Sequence, residues 1–271
     1  DSPDGDFYAR GRKLEPGRTG PMAKIARVVL VHRLREVAAL VGFTRFEAPV
    51  ADIDGELGLD ARRADLARDA AWLPAVENHG EGIFLAFDPR AIDSWAANPA
   101  VKARSKRLAA GFAAWLEART RPNMEFPGAR YVMLHSVSHL LITAVSLECG
   151  YAASSIRERI YVGDKGCGIL LYTGTPDAEG SLGGLVQVGR SIERHLRAAL
   201  EMGRLCSNDP VCAQHDPADP MDRRLLHGAA CHGCLLIAET SCERRNEFLD
   251  RSLVVPTVEQ LGAEFFCEAD L

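Results

Sequence analysis

The sequence predicts an α+β fold, mainly helical with a small sheet and a C-terminal cysteine-ligated metal site. Three observations predict it. Short apolar, strand-like runs stand at Gly82–Phe87, Ile156–Val162 and Gly168–Thr173. Longer helical patterns lie around them without regular alternation of the two types, which argues against a doubly wound sheet. Five of the eight cysteines gather between Cys206 and Cys242.

Taken in order, residues 1–21 lack periodicity and read as a linker or arm. The next stretch, from Met22 to Val41, is apolar on most sides through Ile25, Val28, Val29, Val31, Leu34, Val37 and Leu40. It reads as a helix stopped by Gly42. Phe43–Phe46 offers a strand start, and residues 50–80, rich in Ala, Asp and Arg, read as an exposed insertion. GIFLAF at 82–87 is a buried strand ended by Asp88-Pro89, with helices expected at 89–97 and 99–119. Pro122 and Pro127 precede an apolar helix at 131–148. Strands at 156–162 and 168–173 are then joined by the turn Gly163-Asp164-Lys165-Gly166. A Gly-rich loop at 174–184 leads to a helix near 190–204, and Thr240-Ser241-Cys242-Glu243 reads as the capping box of a last helix. The organisation expected is a mixed part over 22–130, a metal-binding domain over 131–255 and an acidic tail over 256–271.

Composition sets further limits. The chain has 271 residues, 47% hydrophobic and 25% charged, enough for one large core or two modest ones. A net charge of -5 excludes a globally basic nucleic-acid binder, so phosphate contacts would need a local patch. Lys102, Arg104, Lys106 and Arg107, ahead of an amphipathic stretch bearing Phe112, Trp115 and Leu116, supply one candidate. An ordinary solvated helix face is the alternative. Residues 1–20 contain no apolar signal segment, and Asp1 in place of Met reads as the start of a fragment. The longest apolar run, Tyr131–Leu147, falls short of the ~20 residues that a membrane span needs. The chain therefore reads as soluble and cytoplasmic, with no membrane partner.

Cys231-His232-Gly233-Cys234 is a C-x2-C knuckle, a spacing that lets two thiolates face one ion. Cys206 and Cys212, five residues apart across an Asp-Pro step, supply a second pair, for C-x5-C-x18-C-x2-C overall. Such a split site clips two remote segments together, and four thiolates leave no open position for a substrate. Cys242 is a fifth candidate that competes with Cys212 for the fourth place, and His215, His227 and His232 could substitute. Buried thiols without a metal are the bland alternative.

His135 and His139 share a helical face at i, i+4. Ser136 stands where a zincin motif requires Glu, so the pair also reads as hydrogen-bonded core histidines. Asp177 and Glu179, in the Gly-rich loop, could bind a hard metal or accept from Arg157 or Arg159; a tight structural turn is the alternative. No Walker A sequence is present.

The segments HSVSHLL (135–141), SSIRERIYV (154–162), GILLYTGTPDAEGSLGGLV (168–186), CSNDPVC (206–212) and AACHGCLLIAETSCERRNEFLDRSLVV (230–255) together resemble the MrfA zinc-binding domain family. The loop TPDAEGSLGGL and the run ETSCERRN are similar to the version carried by bacterial DISARM anti-phage systems. The upstream stretch 22–47 is similar too, whereas 50–80 is not. The resemblance implies a zinc-stabilised, mainly helical accessory domain without assigned catalysis, with Cys206, Cys212, Cys231, Cys234 and Cys242 at the family's cysteine positions. It also implies a superfamily 2 helicase partner, DrmA-like, that would supply ATP hydrolysis and engage DNA with it. Three functions follow as expectations. The first is a non-catalytic zinc module assisting DNA binding through Lys102, Arg104, Lys106 and Arg107. The others are a metal-dependent, nuclease-like enzyme using His135, His139, Asp177 and Glu179, and a pure assembly domain.

Overall fold

Five antiparallel strands form the centre of the computed structural model. They are β1 (Phe7–Arg12), β2 (Ile25–Ala39), β3 (Ala75–Phe87), β4 (Ile156–Gly163) and β5 (Gly166–Thr173). Their spatial order is β1-β2-β3-β5-β4. The structure describes residues 3, 5–43, 50–51, 57–58, 64–66, 71–117, 125–150, 152–173, 184–219, 222 and 226–271.

The fold is α+β, but the sheet is neither small nor subordinate, so the mainly helical expectation is corrected. The largest error is β2, read from sequence as a helix. Its register with β3 shifts between Ile25 and Arg27 and again between Val31 and Leu34. Each bulge reverses the in–out phase, so the buried residues Ile25, Val28, Leu30 and Val31 lose the strict two-residue period of a strand. The β-branched content, Ile25, Val28, Val29, Val31 and Val37, was the better guide. The supposed arm contributes β1, which pairs with β2 from Phe7 to Arg12. β3 starts at Ala75, inside the stretch read as an insertion.

Helices follow the sequence reading more closely. α1 (Pro89–Ala97) starts at Asp88, whose carboxylate accepts the Ala91 N–H at 2.9 Å, with Pro89 in the first turn. α2 spans Pro99–Glu117 and α3 spans Gly128–Cys149. α3 ends at Gly150, in the left-handed conformation that a C-cap requires. It is buried nearly all round, from Tyr131 to Leu141, as an apolar helix must be. It packs on β4 and β5 and against α5 (Ile192–Arg204), which follows α4 (Gly184–Arg190). Leu134, Leu141 and Val145 meet Ile156, Ile169, Leu171, Leu196 and Leu200 in one continuous core. No helix among the described residues is long and apolar enough to cross a membrane.

Beyond α5 regular structure almost stops. The described residues after 204 hold only a one-turn α6 (Val211–Gln214) and two 3-10 turns, Arg251–Leu253 and Glu268–Asp270. The helix expected from Thr240 is absent; Arg245, Asn246 and Phe248 take positive φ instead. The supposed acidic tail is part of the core. Phe265 and Phe266 are buried, their N–H groups bonded to Leu253 and Val254, and Trp95 donates to the Ala263 carbonyl at 2.8 Å.

Asp250 is the polar hinge of this region. Its carboxylate accepts from Arg104 Nε at 2.6 Å, from Ala229 N–H and from both the N–H and hydroxyl of Ser252. Burial pushes the carboxyl up, but the Arg104 guanidinium and Ser252 outweigh it and hold it below the usual range. Its stability contribution is therefore complete above the unfolded-state value, about 3.9, and is lost as pH falls through the lower folded value. Asp250→Ala, leaving Arg104 buried without its partner, should cost about 3–5 kcal/mol in urea denaturation. Arg107→Ala, at an ion pair with Asp216 where the arginine is mostly exposed, should cost ~1 kcal/mol or less.

Candidate metal centres

Four of the five clustered cysteines converge. Cys206 follows α5, Cys212 sits on α6, and Cys231 and Cys234 flank a tight turn closed by Cys234 N–H to the Cys231 carbonyl at 3.1 Å. Their sulfurs all lie within 4.8 Å of one another. Sγ separations are 3.4 Å for Cys206–Cys231, 3.7 Å for Cys212–Cys234 and 3.8 Å for Cys231–Cys234. Zinc–thiolate bonds of ~2.3 Å set tetrahedral edges of ~3.8 Å, so the thiols fit the ion. Backbone amides already face the sulfurs, Asn208 N–H to Cys206 at 3.4 Å and Gly233 N–H to Cys231 at 3.3 Å. Crowding by Cys234 and burial push the Cys212 thiol well above the usual range. A dication bound there would reverse that. Arg251, wholly buried, pairs with Asp209 and donates to the Gly203 carbonyl, tying the cluster to the end of α5.

Cys242 stands elsewhere. Its sulfur lies 3.1 Å from His135 Nε2, in a group completed by His139 and Glu158. The four donor atoms lie within 4.8 Å of one another and every member is buried. Glu158 Oε1 is 2.9 Å from His135 Nε2 and 3.2 Å from His139 Nε2. On the far side of each ring, His135 Nδ1 meets the Phe248 carbonyl at 3.2 Å and His139 Nδ1 the Leu235 carbonyl at 2.9 Å. A carbonyl only accepts, so both Nδ1 atoms carry hydrogen. Electrostatically the group is self-consistent. Burial opposes charge on His139, but Glu158 raises it to about 9. Burial likewise opposes charge on Glu158, and the two imidazoles pull it below the usual carboxylate range.

Of the other sequence candidates, Asp177 and Glu179 lie outside the described residues. Lys102 and Lys106 are exposed on α2, and Arg107 is paired with Asp216. Arg104, expected to face phosphate, instead points into the protein against Asp250; its position on α2 falls on the row of Val101, Leu108 and Phe112. Glu158 was missed altogether. The signal was present: Ile156-Arg-Glu158-Arg-Ile160 places an acid on the buried face of a strand, between two isoleucines.

Cys206→Ser and Cys231→Ser should each remove one zinc per chain by elemental analysis and lower the melting temperature. Cys267→Ser, at an exposed thiol bonded to Asp270, should change neither.

The MrfA Zn-binding domain matches residues 137–235. Together with the thiol geometry it supports structural zinc as the cofactor. The DISARM protein DrmB of Bacillus paralicheniformis is 42% identical over 245 residues, which are 89% of this chain and 42% of that protein. The chain thus spans less than half the length of this relative. The crystal structure of the DUF1998 helicase MrfA bound to DNA overlaps 79% of this chain and 23% of its own, at 13% identity and a TM-score of 0.33. Residues 137–235 match the MrfA Zn-binding domain with all four clustered thiols inside the match, and the chain around them is similar to the DISARM protein DrmB.

Proposed function

We propose that this chain is a non-catalytic, zinc-stabilised module of a helicase-associated anti-phage defence complex that helps the complex hold DNA. The observation that carries the non-catalytic reading is closure. The Cys206, Cys212, Cys231 and Cys234 thiols would fill all four positions of a tetrahedral ion, and His135 and His139 are each 0% exposed. A phosphodiester cannot reach either histidine, which weighs against the nuclease-like alternative with Asp177 and Glu179. Similarity to the DISARM protein DrmB supports the defence setting. ATP hydrolysis would belong to the partner, a DrmA-like superfamily 2 helicase.

DNA contact is assigned to the outward face of α2. Lys102 and Lys106 are exposed there, one helical turn apart, with Arg107 beside them. Such contacts release counterions, so affinity should fall steeply with salt, by a log–log slope of about -0.9 per phosphate on duplex DNA. Lys102→Glu/Lys106→Glu, measured by fluorescence anisotropy with the helicase present, should weaken binding and flatten that slope by about two. Binding unchanged in strength and salt slope would defeat the assignment.

A second reading, docking on the helicase alone, is favoured by Leu205 and Val211. These apolar side chains are 78% and 76% exposed on either side of Cys206. Leu205→Asp/Val211→Asp should then abolish complex formation while leaving zinc content intact. An unchanged complex would count against that surface.

A further inference from the structure

We propose that His135, His139, Glu158 and Cys242 form a second structural metal site, taking a divalent first-row transition ion, zinc by its donor set. The site would fasten α3, β4 and the irregular segment around Cys242 to one point. It lies outside the four-thiol cluster and does not depend on it, and His135 and Cys242 fall beyond the matched domain boundaries.

Four features of the group argue for an ion. First, the donors converge from three chain segments into a volume where all four atoms lie within 4.8 Å. The nitrogen–oxygen separations of 2.9 and 3.2 Å need to open by only ~0.5 Å or less to reach the ~3.4 Å edge of a tetrahedral zinc site. Second, both rings are oriented as metal-bound histidines are. Each Nδ1–H is held by a backbone carbonyl, which leaves Nε2 aimed at the shared centre.

Third, the backbone around Cys242 repeats what surrounds the zinc-type thiols. Arg244 N–H, two residues on, points at Cys242 Sγ at 3.3 Å, and Asn246 N–H does so at 3.1 Å. Asn208 stands in the same relation to Cys206, and Gly233 to Cys231. Those amides bond to sulfur, not to helix carbonyls, in a stretch where Arg245, Asn246 and Phe248 take positive φ. Asn246 secures the loop further by bonding both the N–H and the carbonyl of Ile237. A thiol surrounded by amide donors is arranged to be a thiolate.

Fourth, the charges close. One dication with neutral His135 and His139, a Glu158 carboxylate and a Cys242 thiolate sums to zero. The mixed imidazole, carboxylate and thiolate set suits zinc better than the hard cations. Four protein donors with no exposed member make the site structural, not catalytic. A surface cleft reaches Glu158 and Cys242, lined also by Glu36, Glu243, Arg157, Arg159 and Arg244.

The test is a zinc count by elemental analysis on the full-length protein purified without chelator. Cys242→Ser and His139→Gln should each carry one zinc fewer per chain than wild type, while Cys267→Ser keeps the wild-type number. Equal zinc in wild type and Cys242→Ser overturns the proposal. Should both site variants prove insoluble, anomalous diffraction at the zinc edge decides on wild type alone. A peak within ~2.0–2.3 Å of the four donor atoms supports the site; no anomalous peak there means a proton-bridged cluster and overturns it.

Discussion

The constraint on which this structure depends is a buried backbone that forms neither strand nor α-helix. From Leu226 to Ala230 and from Phe248 to Val255 the chain runs through the interior as neither strand nor α-helix, and the two segments satisfy one another only in part, through Phe248 N–H to the Leu226 carbonyl, Gly228 N–H to that of Leu249 and Arg251 N–H to that of Ala229. Buried N–H and carbonyl groups that lack partners cost ~1–3 kcal/mol each, so the groups these backbone bonds leave over need side chains to answer them. α3 supplies them. His135 and His139 answer the carbonyls of Phe248 and Leu235, and the Ser136 hydroxyl accepts the Asp250 N–H at 2.8 Å. Polar residues in an otherwise apolar helix thus supplement the backbone bonds of its neighbour.

The same logic explains the edge of the sheet. β4 has a free edge, and the segment before Phe248 covers it. Glu158 N–H donates to the Ser241 carbonyl and Ile160 N–H to the Glu243 carboxylate, whose other oxygen accepts from Tyr131. An edge answered in this way does not template further strand pairing. The thiol cluster then fixes the segment where it leaves α5, Asp250 fixes it to α2, and Arg251 fixes it to the carbonyls ending α5.

Sequence reading reached local signals and failed where tertiary contacts override them. The β4–β5 hairpin, α1, α2 and α3 follow from turn residues, caps and an all-round apolar run. The thiol pairs follow from spacing alone, because a C-x2-C turn needs no distant information. β2 was misread because two bulges broke its period, and Phe265 and Phe266 were hidden among acids that face outward. Cys242 could not be separated from the cluster by spacing, since its partners His135 and Glu158 lie 107 and 84 positions away in the chain. Of the four residues singled out as a second metal group, His135 and His139 lie together, while Asp177 and Glu179 fall outside the described residues. The acid that meets the histidines is Glu158, on the core face of a strand.

The central claim is that metal and polar clamps, not secondary structure, hold the C-terminal third in place. Amide hydrogen exchange, mapped on zinc-loaded and chelator-stripped protein, tests it most directly. The account predicts that residues 226–255 lose protection on stripping far more than β2 and β3, whose amides are bonded strand to strand. Protection across 226–255 that survives complete removal of zinc would contradict it.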